Sequence, residues 1–191
     1  KCDVRKFFVS IDQGILLNIL KRKIQNQDVI WLSSQIISSF NSGKEKTGLP
    51  LGNLTSQLLV NIYMNEFDQW MKHKMKVKYY IRYADDFVIL SQDKDYLLEL
   101  TPKIADFLEE NLKLSLHPNK VSIKTLSSGV DFLGWVHFSH HRVLRTATKK
   151  KMFRNLRLKE GKQKENSVNS YLGMLGWGSG YKLSKILKSL I

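Results

Sequence analysis

Three aspartates have types and spacing that could do chemistry. Asp85 and Asp86 are adjacent in Tyr79-Tyr80-Ile81-Arg82-Tyr83-Ala84-Asp85-Asp86-Phe87-Val88-Ile89-Leu90, and Asp3 lies far upstream. Carboxylates are hard oxygen donors that suit Mg²⁺, which takes one or two of them and completes its shell with phosphate and water. Two such ions roughly 3.5–4 Å apart stabilise the attacking and leaving oxygens of a phosphoryl transfer, so no protein nucleophile is needed. The same arrangement can join phosphodiesters or cut them. An acidic pair alone is an ordinary turn feature, because Asp favours turns. The flanks change that reading: two like charges set among aromatic and β-branched residues repel each other unless cations or solvent relieve them.

The elements that must position these acids follow from period and punctuation. Residues 77–90 read as a β-hairpin with the acids at its tip. Residues 1–9 read as the end of a strand followed by a turn, which places Asp3 beside that tip. Ser10-Ile11-Asp12-Gln13 has the spacing of a capping box, with Ser10 as the cap. Ile15, Leu16, Ile19, Leu20 and Ile24 then recur at helical spacing. A second amphipathic helix is expected over 28–40 with Ile30 and Ile37 inward, broken by Asn41-Ser42-Gly43-Lys44. After a Gly/Pro-punctuated loop over 47–53, Leu54, Leu58, Ile62 and Phe67 predict the apolar stripe of a helix running to about Lys74. Helix is expected again over 96–112, a strand pair over 114–126 around His117-Pro118-Asn119-Lys120, and a short strand or hairpin over 130–138. Beyond Arg145 the pattern is basic and helical, with a Gly-rich break over 173–180.

The charge is unevenly placed. Of the formal +14 on 191 residues, residues 141–191 contribute +11, with 13 Lys and Arg against Glu160 and Glu165. Neutralising phosphates releases condensed counterions, so such a segment favours a polyanionic partner. Trp135, Tyr171, Trp177 and Tyr181 interleave with the charge, which suits packing against sugars or bases. Arg145, Lys149, Lys150, Lys151, Arg154 and Arg157 are the candidate nucleic-acid contacts. Cys2 is the sole cysteine, so neither a disulfide framework nor a cysteine-rich zinc site is available. No apolar run is long enough to span a bilayer, and a cytoplasmic protein without a membrane partner is expected. The first residue is Lys1, close before Asp3, which suggests a piece of a longer chain.

Tyr83-Ala84-Asp85-Asp86 resembles the Tyr-x-Asp-Asp box of reverse transcriptases, and the run from Asp3 to Asp12 resembles the earlier acidic box of bacterial members. The resemblance implies that Asp3 and Asp85 are the main ligands of two Mg²⁺ ions, with Mn²⁺ as a substitute, that Asp86 supports them, and that the Val4 carbonyl completes a shell. Phe8, with Phe7 beside it, matches the bulky gate that excludes a ribose 2′-hydroxyl. Pro50, Leu51, Gly52 and Gln57 match the loop and helix start beneath the incoming nucleotide. Lys120 matches the lysine that approaches the triphosphate, and Phe132-Leu133-Gly134-Trp135 resembles the primer grip. The implied fold is α+β: a palm over 1–140, with an antiparallel sheet and helices on one face, followed by a basic helical thumb over 141–191. The fingers are absent and expected before Lys1, so the fragment alone is expected to be weakly active or inactive. The implied partners are template RNA, the cDNA or primer strand and dNTPs.

Within the family, the form from Gly52 to Gln57, with Ser56-Gln57, is most similar to the bacterial or phage-encoded enzymes of diversity-generating retroelements. Ser170-Tyr171-Leu172-Gly173 resembles their thumb. That similarity implies error-prone cDNA synthesis and a small basic accessory protein. Leu51 stands where intron and retron enzymes carry a Gln, and an amide that could hydrogen-bond the substrate is thereby lost. The competing readings are an intron, retron or phage-defence reverse transcriptase, an inactive nucleic-acid-binding module and a metal-dependent nuclease.

Overall fold

In a computed structural model, residues 1–40, 46–50 and 52–190 are described. The break expected at 41–44 and the substrate-loop residue Leu51 lie outside them. The chain forms two compact units, Lys1–Ile123 and Lys124–Ile191.

The first unit runs β1 (Cys2–Asp3), α1 (Phe7–Ser10), α2 (Gln13–Lys23), α3 (Gln27–Ser38), α4 (Leu54–Gln69), β2 (Tyr79–Tyr83), β3 (Asp86–Leu90) and α5 (Lys94–Leu112). A π-helical turn, Trp70–Lys74, extends α4. The antiparallel sheet has the order β1-β3-β2. Alternation along β2 buries one face of the hairpin and exposes Tyr79, Ile81 and Tyr83 on the other. On the covered face the Phe67 ring of α4 meets Phe87 at 5.2 Å, Tyr80 at 6.0 Å and Phe107 of α5 at 5.9 Å. The helices therefore lie on one face of the sheet, as the α+β reading requires.

Three local expectations need correction. The cap of α2 is Asp12, whose carboxylate accepts the Ile15 amide at 2.9 Å. Ser10 instead ends α1, where its own amide donates to the Lys6 carbonyl. In α4 the buried stripe is Leu59, Val60, Tyr63, Met64 and Phe67, while Leu54 and Leu58 are 82% and 62% exposed. Apolar residues occur on both sides of this helix, so periodicity alone does not choose the packed side. Residues 114–126 do not form a strand pair. Residues 114–122 run along the free edge of β1, with a single bridge from Val4 to Leu116 and backbone bonds Arg5 N–Ser115 O, His117 N–Asp3 O and Ser122 N–Lys1 O of 2.8, 2.8 and 2.9 Å. Pro118 lacks the amide hydrogen that a continuous ladder would use.

The second unit has β4 (Val130–Phe132), β5 (Trp135–His137) and β6 (Arg142–Leu144) in an antiparallel sheet, then α6 (Thr146–Arg157), α7 (Gly161–Leu175) and α8 (Tyr181–Lys188). Leu144, Met152, Leu156, Val168, Leu175 and Leu187 form its core, and Trp135 packs against them. This shared core ties β5 and β6 into one compact unit with the basic helices. Phe132 pairs with Trp135, which leaves Leu133 (φ 53°) and Gly134 (φ 83°) as a two-residue turn with both centres left-handed. That is the conformation Asn-Gly favours, and an L-residue such as Leu incurs steric cost there. Leu133→Asn is therefore expected to stabilise the protein by about 1 kcal/mol, read as a higher thermal midpoint.

Candidate active site

The hairpin and the edge strand bring the distant Asp3 beside the adjacent pair Asp85-Asp86 at one end of the sheet. Asp3 and Asp86 are directly opposed across β1 and β3. Tyr83 pairs with Asp86, so Ala84 and Asp85 form the turn between the strands, and Ala84 takes a left-handed φ of 51°. The Val4 amide donates to the Asp85 carbonyl at 3.0 Å, which ties the far side of the turn to β1. Val4 itself is buried.

The acids are not equivalent. Burial pushes the Asp85 carboxyl above the ordinary carboxylate range; its own backbone amide opposes that, the Asp3 and Asp86 charges add to it, and Lys120 lowers it. The Lys120 ammonium lies 3.0 and 3.1 Å from the two Asp3 carboxylate oxygens, and Lys1 Nζ lies 3.0 Å from Asp86 Oδ2. Thus two of the acids hold cations as ammonium groups, and the third is destabilised as an anion. As the side chains stand, no three His, Cys, Asp or Glu groups converge on one point among the described residues. The donor set nevertheless suits a hard divalent cation: clustered carboxylate oxygens whose mutual repulsion two ammonium groups offset only in part.

A group that periodicity did not reveal supports the turn from below. Arg82 donates through Nε and Nη2 to the Asp68 carboxylate at 2.8 and 2.6 Å, and through Nη1 to the Ala84 carbonyl at 2.9 Å. Tyr80 donates its hydroxyl to the same Asp68 at 2.7 Å. Burial alone would depress the guanidinium, but its bonds to Asp68 overcome that and keep it charged. The sequence signal was weak: an Asp in α4 and an Arg in β2, fourteen positions apart.

The candidate nucleotide-loop residues reach α1 through the backbone. Leu49 donates to the Phe8 carbonyl at 2.8 Å and Gly48 to the Ile11 carbonyl at 2.7 Å. Gln13, expected only as part of a cap, is buried and donates through Nε2 to the Gly48 and Phe40 carbonyls at 3.1 and 2.9 Å. Phe7 is buried, and Phe8 is half-buried, edge-on to it at 5.4 Å. Pro50 is half-buried, while Gly52 (φ 88°) and Gln57 are exposed. Ser56 is buried at the start of α4, and its hydroxyl has no hydrogen-bond partner among the described residues.

In the second unit, Phe132 is buried and Trp135 half-buried at the base of the β4–β5 turn, while Leu133 projects at its tip, half exposed. Arg145 pairs with Asp131 at 3.3 Å. Lys149, Lys150, Arg154 and Arg157 line a groove of about 400 Å³ along α6 with Thr146 and Phe153. Lys151 is exposed but does not line that groove. Among the described residues, no helix is long and apolar enough to cross a membrane.

An antiparallel hairpin bearing an acidic pair at its turn, a third Asp on the neighbouring strand and helices on one face together define a polymerase palm. The chain belongs to the reverse transcriptase (RNA-dependent DNA polymerase) family, whose sequence profile matches residues 1–137. It is 25% identical to protein YkfC of Escherichia coli, over 75% of this chain and 46% of that protein. It is 23% identical to a COX1/OXI3 intron 2 protein of Saccharomyces cerevisiae, over 71% of this chain and 23% of the relative. It is 22% identical to the group II intron-encoded protein LtrA of Lactococcus lactis, over 91% and 38% respectively. The chain thus spans less than half the length of these relatives.

Proposed function

We propose that the chain is the palm and thumb of an RNA-directed DNA polymerase that copies template RNA into cDNA from dNTPs. The observation that carries this reading is the opposition of Asp3 and Asp86 across β1 and β3, with Asp85 next to it in the β2–β3 turn. Divalent ions held by Asp3 and Asp85, with Asp86 and the Val4 carbonyl in support, would supply positive charge to the attacking and leaving oxygens. The Lys120 ammonium already sits at the Asp3 carboxylate and serves as a charged partner for the incoming triphosphate. Phe8 takes the role of the gate against a 2′-hydroxyl. Pro50, Leu51, Gly52 and Gln57 form the nucleotide floor, with Phe7 behind the gate. The hairpin tip Phe132–Trp135 grips the primer strand. The test is primer extension on an RNA template with Mg²⁺ and dNTPs, using the longest natural form of the protein. Cleavage in place of extension would indicate a nuclease, and binding without either would indicate an inactive module.

The basic groove of α6 is assigned to the nucleic-acid backbone. Replacing Lys149, Lys150 and Arg154 together by Gln is expected to weaken primer–template binding and to flatten the slope of log K against log salt by about 2–3. Fluorescence anisotropy over a salt series measures this; an unchanged slope would remove α6 from the interface.

Within the family, the Gly52–Gln57 form supports a diversity-generating retroelement enzyme that misincorporates opposite adenine and works with a small basic accessory protein. A template repeat with a near-identical variable repeat beside the gene is the expected genomic signature. The likeness to the group II intron-encoded protein of Lactococcus lactis favours a second reading, an intron enzyme, and an intron RNA around the gene would select it.

A further inference from the structure

We infer that Arg82 is the positioning residue of the acidic turn: its guanidinium sets the direction of the Asp85 carboxylate by anchoring the Ala84 carbonyl to Asp68 of α4. The inference rests on the metal-site reading above and adds to it a residue that touches neither metal nor nucleotide.

Asp85 lies between two peptide groups, and both are anchored. The carbonyl after it, its own, accepts the Val4 amide of β1 at 3.0 Å. The carbonyl before it, of Ala84, accepts Arg82 Nη1 at 2.9 Å. Ala84 is left-handed at φ 51°, a conformation that disfavours an L-residue and persists only where surrounding bonds hold it. With one anchor removed, that peptide is free to rotate and carry the next carboxylate with it.

The guanidinium is itself held rigidly. Asp68 takes it side-on through Nε and Nη2, Asn61 Oδ1 accepts a longer bond from Nη1 at 3.3 Å, and the Tyr80 hydroxyl donates at 2.7 Å to the same Asp68 oxygen that accepts Nε. The Arg82 side chain is 8% exposed, so water competes little for these bonds. The planar fork of Arg can hold a carboxylate side-on while a third N–H points elsewhere; the point charge of Lys cannot reproduce both contacts. The chain from α4 through Asp68 and Arg82 to Ala84 thus transmits the rigidity of the helix to the turn.

The test compares Arg82→Lys and Asp68→Asn with Asp85→Asn and with Arg22→Gln. The last removes another ion pair to α4, Arg22 to Glu66 at 3.1 Å, that has no connection to the turn. Mn²⁺ binding by electron paramagnetic resonance reports on the metal bed without catalysis. Arg82→Lys is expected to weaken Mn²⁺ about tenfold and to lower kcat for single-nucleotide insertion about 10–100-fold, with KM for the dNTP within about threefold. Asp68→Asn should follow in the same direction, and Arg22→Gln should stay within about twofold on both readouts. If Arg82→Lys fails to fold by circular dichroism, the nearly isosteric Asp68→Asn decides alone. Mn²⁺ affinity and kcat within about twofold of the parent in the folded variants would overturn the role of Arg82. Unimpaired Mn²⁺ binding in Asp85→Asn would instead overturn the metal-site reading, so the two failures are distinguishable.

Discussion

Asp85→Asn is expected to lower primer extension about a thousandfold, equivalent to about 4 kcal/mol of barrier, and at the same time to raise the thermal midpoint of the metal-free protein. The two effects have one origin. Asp85 is buried beside Asp3 and Asp86, and its carboxyl is pushed above the ordinary range. A group whose folded pKa exceeds its unfolded value binds its proton more tightly when folded, so its ionised form costs stability. That cost is fully present above the raised pKa, shrinks as pH falls through it, and is gone below the ordinary carboxylate value. The substitution removes a charge that the fold holds at a loss, and the pH dependence of the midpoint in that window should flatten. Mg²⁺ should stabilise the parent near neutral pH, because a ligand of the folded state alone shifts the folding equilibrium, and should do so less in the variant. Single-turnover extension and thermal unfolding with and without Mg²⁺ measure both parts. Extension that survives the substitution would remove Asp85 from the reaction.

The hairpin was legible because its residues are β-branched or aromatic and its polar pair is confined to one place, so residues 77–90 could be assigned from local pattern. Helices α2, α3 and α5 were legible from period, and Leu16, Ile19, Leu20, Ile30 and Ile37 are buried where the period placed them. What the sequence did not contain was register. Nothing local states that Asp3 faces Asp86, or that Lys120 reaches Asp3 across 117 positions; those follow from how residues 114–122 line the edge of β1. The buried side of α4 was hidden for a related reason. Leu54 and Leu58 are as apolar as Leu59 and Met64, and only the position of the sheet and of α5 decides which are covered. Asp12 displaced Ser10 as a cap because α1 occupies Ser10, a short helix that a four-residue window does not announce. Arg82 and Gln13 were missed as supports because each acts on a backbone carbonyl, Ala84 and Gly48, and carbonyls carry no residue-type signal. Their roles emerge only when the turn and the loop are placed in space.

Phe67→Ala should destabilise the protein by about 3–5 kcal/mol, the range for removing a buried aromatic ring. Phe67 has no exposed surface, and its ring meets Trp70 and Phe107 as well as Tyr80 and Phe87 at centroid distances of 5.2–6.0 Å. Aromatic pairs of this kind contribute beyond the area they bury, about 0.5–1.5 kcal/mol each. Urea unfolding followed by circular dichroism measures the change, and a loss below about 1 kcal/mol would mean that the cluster collapses into the space. The same substitution tests whether the acidic turn depends on the core beneath it. Phe87 follows Asp86 directly, and Tyr80 holds Asp68, so Phe67 supports both routes by which α4 fixes the turn. If the support is mechanical, Phe67→Ala should weaken Mn²⁺ binding even at a temperature where the variant is fully folded, in parallel with Arg82→Lys. If the variant binds Mn²⁺ like the parent there, the turn is held by β1 and the Arg82 bonds alone, and the aromatic layer contributes stability without geometry.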